Sequence, residues 1–462
     1  MKLQNKNAIY NILGPIILNG INFFTIPIFT RMMGPSQYGI VSVFTTWIGI
    51  FSIILGLQVQ GSIGTAKAHL GDECIKKYLS SILILGLTFS TLCLSVGAIF
   101  YKPISDWMML SVETYILMGV QSIATFVISF SSIAFIFYKK AQYSFFVNVS
   151  TAVITSVLSV VLIMYHFHAA EAYLGRIYGM VIPTACISLF VAFYFLKEGN
   201  FTFKKEYVTF CLPICLPLIF HGLSHIILGQ SDRIILQRFL GNEATGIYSF
   251  MIIFSGVLTA IWGALNNTWV PFYYDDLRAG LLEVIREKSK NYILIFTIIH
   301  IVFLMWAPEV IKIFTPPPFW QSIYLLPLFV LSNYFTFMYS FPVNFQFYHK
   351  TTISIAIGTV GAALVNIGLN FVFIPMFGIV GSALATLIAH IMLFVFQQII
   401  SSYIIKYPYH YNWRFFVPGI LIMTIVTVGF YSLESLILIR WGIGVLFSIY
   451  FFFDIYRRKK LF

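Results

Sequence analysis

Apolar runs of about 20 residues, cut by short polar breaks, follow one another along nearly the whole of this 462-residue chain. Backbone amides surrounded by hydrocarbon must be paired within their own segment or in a closed barrel. Runs of this length suit a helix crossing the ~30 Å of a bilayer core rather than a ten-residue strand. The pattern predicts fourteen spans, near residues 8–30, 39–58, 79–100, 114–137, 144–165, 173–196, 207–230, 245–267, 292–314, 322–347, 352–374, 378–401, 414–433 and 436–455. Boundaries are least sharply defined over 308–347, which Pro308 and Pro316-Pro317-Pro318 interrupt. The longest polar break, 268–291, mixes Asp275, Asp276, Arg286 and Lys290 and reads as a short amphipathic helix on the inner surface, its charges a solvated face.

Lysine and arginine set the orientation, because cytoplasmic loops keep positive charge. With the N-terminus inside, twenty-one of the 28 basic residues fall on the inner side, among them Lys139, Lys140, Lys204, Lys205 and the tail Arg457-Arg458-Lys459-Lys460, which would rest on anionic headgroups. Only Arg31, Lys102, Arg176, Arg233, Arg238, Lys312 and Arg440 fall outside. This predicts an even number of spans with both termini cytoplasmic. The first apolar run is long enough to span, so it reads as a membrane helix rather than a removable signal.

The polar breaks also repeat. Arg31-Met32-Met33-Gly34-Pro35-Ser36-Gln37-Tyr38-Gly39-Ile40-Val41-Ser42 returns as Arg238-Phe239-Leu240-Gly241-Asn242-Glu243-Ala244-Thr245-Gly246-Ile247-Tyr248-Ser249, with Arg, both Gly, Ile and Ser matching at an offset of 207. Leu174-Gly175 against Val380-Gly381, and Tyr138-Lys139-Lys140 against Tyr348-His349-Lys350, fall in the same order. The tract ends span one and opens span two, then ends span seven and opens span eight, so the unit is six helices, a step that preserves direction. The expected architecture is an all-α integral membrane protein of about fourteen transmembrane helices. It has a lobe of six in 1–200 and a second in 201–405, related by a pseudo-twofold repeat, and an appended hairpin with a basic tail in 406–462.

Composition agrees: 59% hydrophobic, 18% aromatic and 10% charged, with mean hydropathy +0.89, more apolar surface than a soluble globule could hide. The net charge of +12 lies in short inner loops rather than on one stripe, which argues against nucleic acid as a partner. Cys74, Cys93, Cys186, Cys211 and Cys215 make no CxxC pair and read as small core residues.

Hydrolase or transferase chemistry would need carboxylates, a nucleophile with its base, or metal ligands grouped on one face, and the sequence groups none. Four binding candidates remain. Arg31, Arg233 and Arg238 stand on the side where positive charge is avoided. Each could grip a phosphate bidentately; pairing with Asp232 or snorkelling to headgroups is the alternative. His221 and His225 share a helical face at a spacing that suits a metal or a proton relay, or plain interhelical bonding. Pro213 and Pro217 predict a kink in span seven, gating or static. Asn266, Asn267, Asn344, Gln346, Asn366, Asn370, Gln58 and Gln60, many beside aromatics such as Trp262, Trp269 and Phe371, could hydrogen-bond a sugar or join helices.

The tract around Arg31 to Gly39, and Ser231-Asp232-Arg233-Ile234-Ile235-Leu236 running on through Gly241 to Ser249, resemble the bacterial polysaccharide flippase family, itself similar to multidrug and toxic compound extrusion transporters and to the peptidoglycan lipid flippase. The resemblance covers most of the chain, with strong motifs at spans one to two and seven to eight. It implies a non-enzymatic flippase of the inner membrane. Undecaprenyl-diphosphate-linked oligosaccharide repeat units would be moved between leaflets by alternating access, for O-antigen, capsule or exopolysaccharide. It implies no cofactor, a proton or sodium gradient as the candidate energy source, and the lipid bilayer and other polysaccharide assembly proteins as partners. Arginines near a groove would hold the diphosphate, although no arginine or lysine stands mid-span in the first six helices. Two rivals are a drug exporter on the same scaffold, which would want cavity carboxylates, and a polysaccharide polymerase or ligase, which would want a large outer loop.

Overall fold

The computed structural model describes residues 2–405, 407 and 409–458, and they are built from helices. In order these are α1 Lys2–Leu55, α2 Ile63–Ile99, α3 Tyr101–Trp107, α4 Val112–Phe137, α5 Ala141–Tyr165, α6 Ala172–Glu198, α7 Lys205–Arg278, α8 Leu282–Phe314, α9 Leu326–Tyr348, α10 Thr352–Ile399, α11 Trp413–Leu433 and α12 Ile437–Arg458. Among the described residues, ten helices are long and apolar enough to cross a bilayer. Three of these, 43 to 74 residues long, each contain a glycine off helical geometry, Gly34, Gly241 or Gly378. Divided at those glycines, and with the shorter apolar helix Ile437–Phe453, they give the fourteen apolar segments expected.

The breaks have a local cause. Gly34 (φ 67, ψ 174) and Gly241 (φ 81, ψ −174) take the same positive-φ, extended conformation, which a Cβ would oppose. They occupy equivalent places in the repeated tract, so the duplication is one of backbone geometry as well as of letters.

Two boundaries differ from the pattern. The polar stretch 268–291 is not a separate surface helix: α7 runs on to Arg278, Gly280 (φ 70) turns the chain, and α8 starts at Leu282. Its charges sit on the extended ends of two spanning helices, with Lys288 Nζ 2.6 Å from Asp276. The prolines at 316–318 end α8 and start a 3₁₀ turn, Pro317–Leu325, whereas Pro308 lies within α8 without ending it. Lys459 and Lys460 of the basic tail lie outside the described residues.

A third departure is internal to the first repeat. After Leu55 the chain leaves the helix, Leu57 (φ 50) and Gln58 (φ 49) both take left-handed conformations, and a 3₁₀ turn Val59–Ser62 precedes α2.

Two compact units partition the chain, Met1–Gly246 and Ile247–Phe462. In the first, α5 and α6 approach closely because Gly175 and Gly179 face the backbone of Ile163 and Ser159, the small-residue packing that lets membrane helices touch. Phe126, Phe130, Phe135 and Phe195 fill its interior beside Tyr78.

In the second, Tyr292, Phe296, Phe337 and Phe341 form a buried aromatic stack. The α11–α12 hairpin is clamped to α8. Arg440, 1% exposed, forks onto Glu309 with contacts of 2.5 and 3.2 Å and also donates to Met305 O at 2.9 Å. Beside it Trp306 stacks on Trp441 at 5.4 Å, and Gly444 makes room for the Trp306 ring.

The connection into α11 folds inward. His410, 5% exposed, has neither ring nitrogen bonded among the described residues, and lies 4.1 Å from the Tyr411 ring, near Phe345 and Tyr273. Burial first, then the Arg286 and His349 charges, pulls its pKa down to about 4. A histidine held neutral in the fold but free to protonate when released contributes stability above its ordinary pKa of ~6.5 that drains away as pH falls toward 4. Thermal melts between pH 7 and 4.5 should therefore show a fall in midpoint that His410→Phe reduces; equal slopes for the two proteins would refute it.

Candidate functional site

The two copies of the repeated tract meet. A methyl group on Gly39 would overlap the carbonyl oxygen of Asn242 and crowd Gly246 N, while one on Gly246 would overlap the carbonyl oxygen of Pro35 and crowd Gly39 N. Gly39 corresponds to Gly246, and Pro35 to Asn242, at the constant offset, so the contact is reciprocal: each copy presents its glycine to the other's carbonyl. Only residues without Cβ permit backbones this close, which is why both positions are glycine.

Around this crossing the chain gathers charged residues of both signs. Asp232 and Arg233, on α7 two turns before the Gly241 break, are 1% and 7% exposed, and Gln237 is buried one turn further on, with Nε2 donating to Asn242 Oδ1 at 2.9 Å. Arg233 and Arg176 both lie near enough to Tyr38 to interact with it electrostatically. Arg176 sits over the Phe29 ring at 4.0 Å and donates to Ser159 Oγ at 3.0 Å. Next to Tyr38, Gln37 Oε1 accepts from Tyr173 N at 2.8 Å, tying the tract to the start of α6. Two guanidinium groups thus act on one buried phenol, and a guanidinium group can hold a phosphate oxygen pair with charge-assisted bonds.

The sequence candidates divide between this cluster and other places. Arg233 and Asp232 are in it, and Arg31 lies on the same tract but is exposed. Arg238 is exposed too, lying over the Trp107 ring at 5.1 Å with its guanidinium donating to Trp107 O. His221 and His225 are exposed on α7, and among the described residues no group of histidine, cysteine or carboxylate side chains could hold a metal ion.

In the second unit, Asn266 accepts from Asn344 at 3.0 Å and Asn267 is exposed. Asn366 and Asn370 are fully buried. Asn370 Nδ2 donates to Asn366 O, Asn370 Oδ1 accepts from Ser382 Oγ at 2.7 Å, and Thr386 lies between Asn366 and Tyr248 at 3.4 and 3.1 Å. These two asparagines link the two arms of α10 on either side of Gly378.

Arg176 is the residue the sequence candidates omit. The signal was available, since it is one of the seven basic residues on the positive-poor side and adjoins Gly175 of the repeated Leu-Gly pair.

Comparison with known proteins places the chain in a family and beside related sequences and structures. Residues 5–273 match the family described as polysaccharide biosynthesis protein. A protein of the Lsg locus of Haemophilus influenzae is 25% identical over 399 residues, covering 83% of this chain and 96% of its own length. An uncharacterized membrane protein of the same organism is 23% identical over 396 residues, with 83% and 95% covered. Among solved structures, the lipid II flippase MurJ in an inward closed conformation aligns with TM-score 0.66 at 16% identity over 98% of this chain and 99% of that one. An inward-facing multidrug resistance MATE transporter of the MOP superfamily aligns with TM-score 0.63 at 15% identity, covering 91% and 98%. At these identities the two structures establish a shared fold.

Proposed function

Since the chain belongs to the polysaccharide biosynthesis protein family, we propose that it is a flippase for undecaprenyl-diphosphate-linked oligosaccharide repeat units in the bacterial inner membrane. The observation that carries the reading is the pair Arg176 and Arg233 around the buried Tyr38, beside the crossing of the repeated tracts. The step such a protein must ease is taking a charged diphosphate and a hydrated glycan through hydrocarbon, a cost of many kcal/mol if nothing replaces water. Fixed guanidinium groups replace it for the diphosphate. Alternating access by lobes of residues 1–200 and 201–405, with both termini cytoplasmic, would present the site to each leaflet in turn. The gene product would serve O-antigen, capsule or exopolysaccharide assembly alongside other assembly proteins, driven by a proton or sodium gradient.

A strain lacking the gene should accumulate lipid-linked repeat units on the inner leaflet, and the gene should clear them. Arg233→Ala and Arg176→Ala should each lower clearance at least tenfold with normal membrane insertion, whereas Arg238→Ala, at an exposed position against Trp107, should leave most of it. Full clearance by both the Arg233 and the Arg176 variant would remove them from the site. The rival reading, a multidrug exporter, is favoured by the second structural likeness. It predicts a strain altered in drug sensitivity alone.

A further inference from the structure

The chain break after Leu55 has no counterpart in the second repeat. At the offset of 207 its residues fall on 263–269, inside α7, where Gly241 is the residue that leaves helical geometry. The equivalent stretch of the first copy instead holds two consecutive left-handed residues, Leu57 and Gln58, that are not glycine. Such backbone persists only where packing enforces it, and unwound backbone within a membrane protein is a recurrent place for ions to bind. The enforcing contacts are visible: the Phe126 ring closes on Gly56, Leu218 on Gly61, and the Gln58 amide on Gly222 of α7.

We propose that residues 56–62 form a binding site for a monovalent alkali cation, held by the side-chain oxygens of Gln58 and Gln60 together with peptide carbonyls at the C-terminal end of the helix arm 35–55. The hydrogen bonding leaves oxygens to spare. Leu57 N donates to Ile54 O and Val59 N to Gly56 O, so the four-residue bonds that a continuing helix would give Ile53 and Leu55 are replaced by three-residue ones. Ser90 Oγ takes up Leu55 O at 2.8 Å. Gln60 Nε2 donates to Gln58 Oε1, while Gln60 Oε1 is buried with no donor among the described residues. An acceptor left in that condition is costly unless something positive meets it.

The chemistry selects the ion. A helix C-terminus carries partial negative charge, and the surrounding groups are oxygens rather than sulfur or imidazole. No charged residue occurs between Arg31 and Lys67, so the segment itself supplies no carboxylate with which to balance a divalent ion. A hard, singly charged cation fits a neutral oxygen set.

The test is a thermal melt of the purified protein in sodium, potassium or N-methyl-D-glucamine chloride at constant ionic strength, followed by intrinsic fluorescence without substrate. The expected result is a saturable rise of several degrees in sodium or potassium, absent in Gln60→Met, with half-saturation at lower concentration in Gln60→Glu. Equal midpoints in the three salts would overturn the proposal, as would a full cation response in Gln60→Met. Should that variant not fold, an unchanged half-saturation in Gln60→Glu decides against it. Because no lipid-linked substrate is present, failure here leaves the flippase reading standing.

Discussion

Alanine at Gly39 is expected to abolish transport and to lower the thermal midpoint of the protein, and alanine at Gly246 to do the same. In both cases the added methyl meets a backbone carbonyl, not the end of a flexible side chain, so relief requires the two tracts to separate. Overpacking of this kind costs ~1–3 kcal/mol, and valine should cost more than alanine. The two positions share one crossing, so the effects should not add: once Gly39→Ala has pushed the tracts apart, Gly246→Ala has less left to disturb. Melts of the two single variants and the double variant measure this. Additive losses, or a wild-type midpoint in either single variant, would mean that the crossing is not a shared constraint.

The second large effect concerns the C-terminal hairpin. Arg440→Ala should destabilise the second unit by ~3–5 kcal/mol, the usual cost of stranding one member of a buried ion pair, because Glu309 is only 17% exposed and would lose both guanidinium contacts. The double replacement Arg440→Met with Glu309→Leu should recover most of that loss, since no charge then remains to be solvated. Protease sensitivity of the α11–α12 connection and the thermal midpoint both report it. A double variant as unstable as Arg440→Ala would show that the arginine acts through its contact with Met305 O rather than through the pair.

How far the sequence foretold this depends on what each signal encodes. The spans were legible because hydrocarbon demands runs of a set length, and the breaks at Gly34 and Gly241 because glycine marks positive φ. That the two tracts touch was not legible: a constant offset establishes equivalence, not adjacency. The left-handed pair Leu57 and Gln58 bears no residue signature, since neither type favours that conformation and tertiary packing imposes it. Asn366 and Asn370, four apart, could be put on one face, but only the position of Ser382 and Thr386 shows that this face meets the arm of α10 beyond Gly378. Arg176 lies outside the duplicated Arg-to-Ser tract and reaches the cluster from α6. The amphipathic reading of 268–291 failed at Gly280, which turns one helix into two.

The reciprocal fit of Gly39 and Gly246 has a consequence for how such a chain could arise. A patch that is its own complement is satisfied by one mate and presents nothing to a third, as in isologous dimers. An ancestral half-length chain with this surface would have paired once and stopped, and fusing the pair into one polypeptide would have kept the stoichiometry at two. Away from the shared glycines the copies could then diverge, as at residues 56–62, where one is broken and the other continuous.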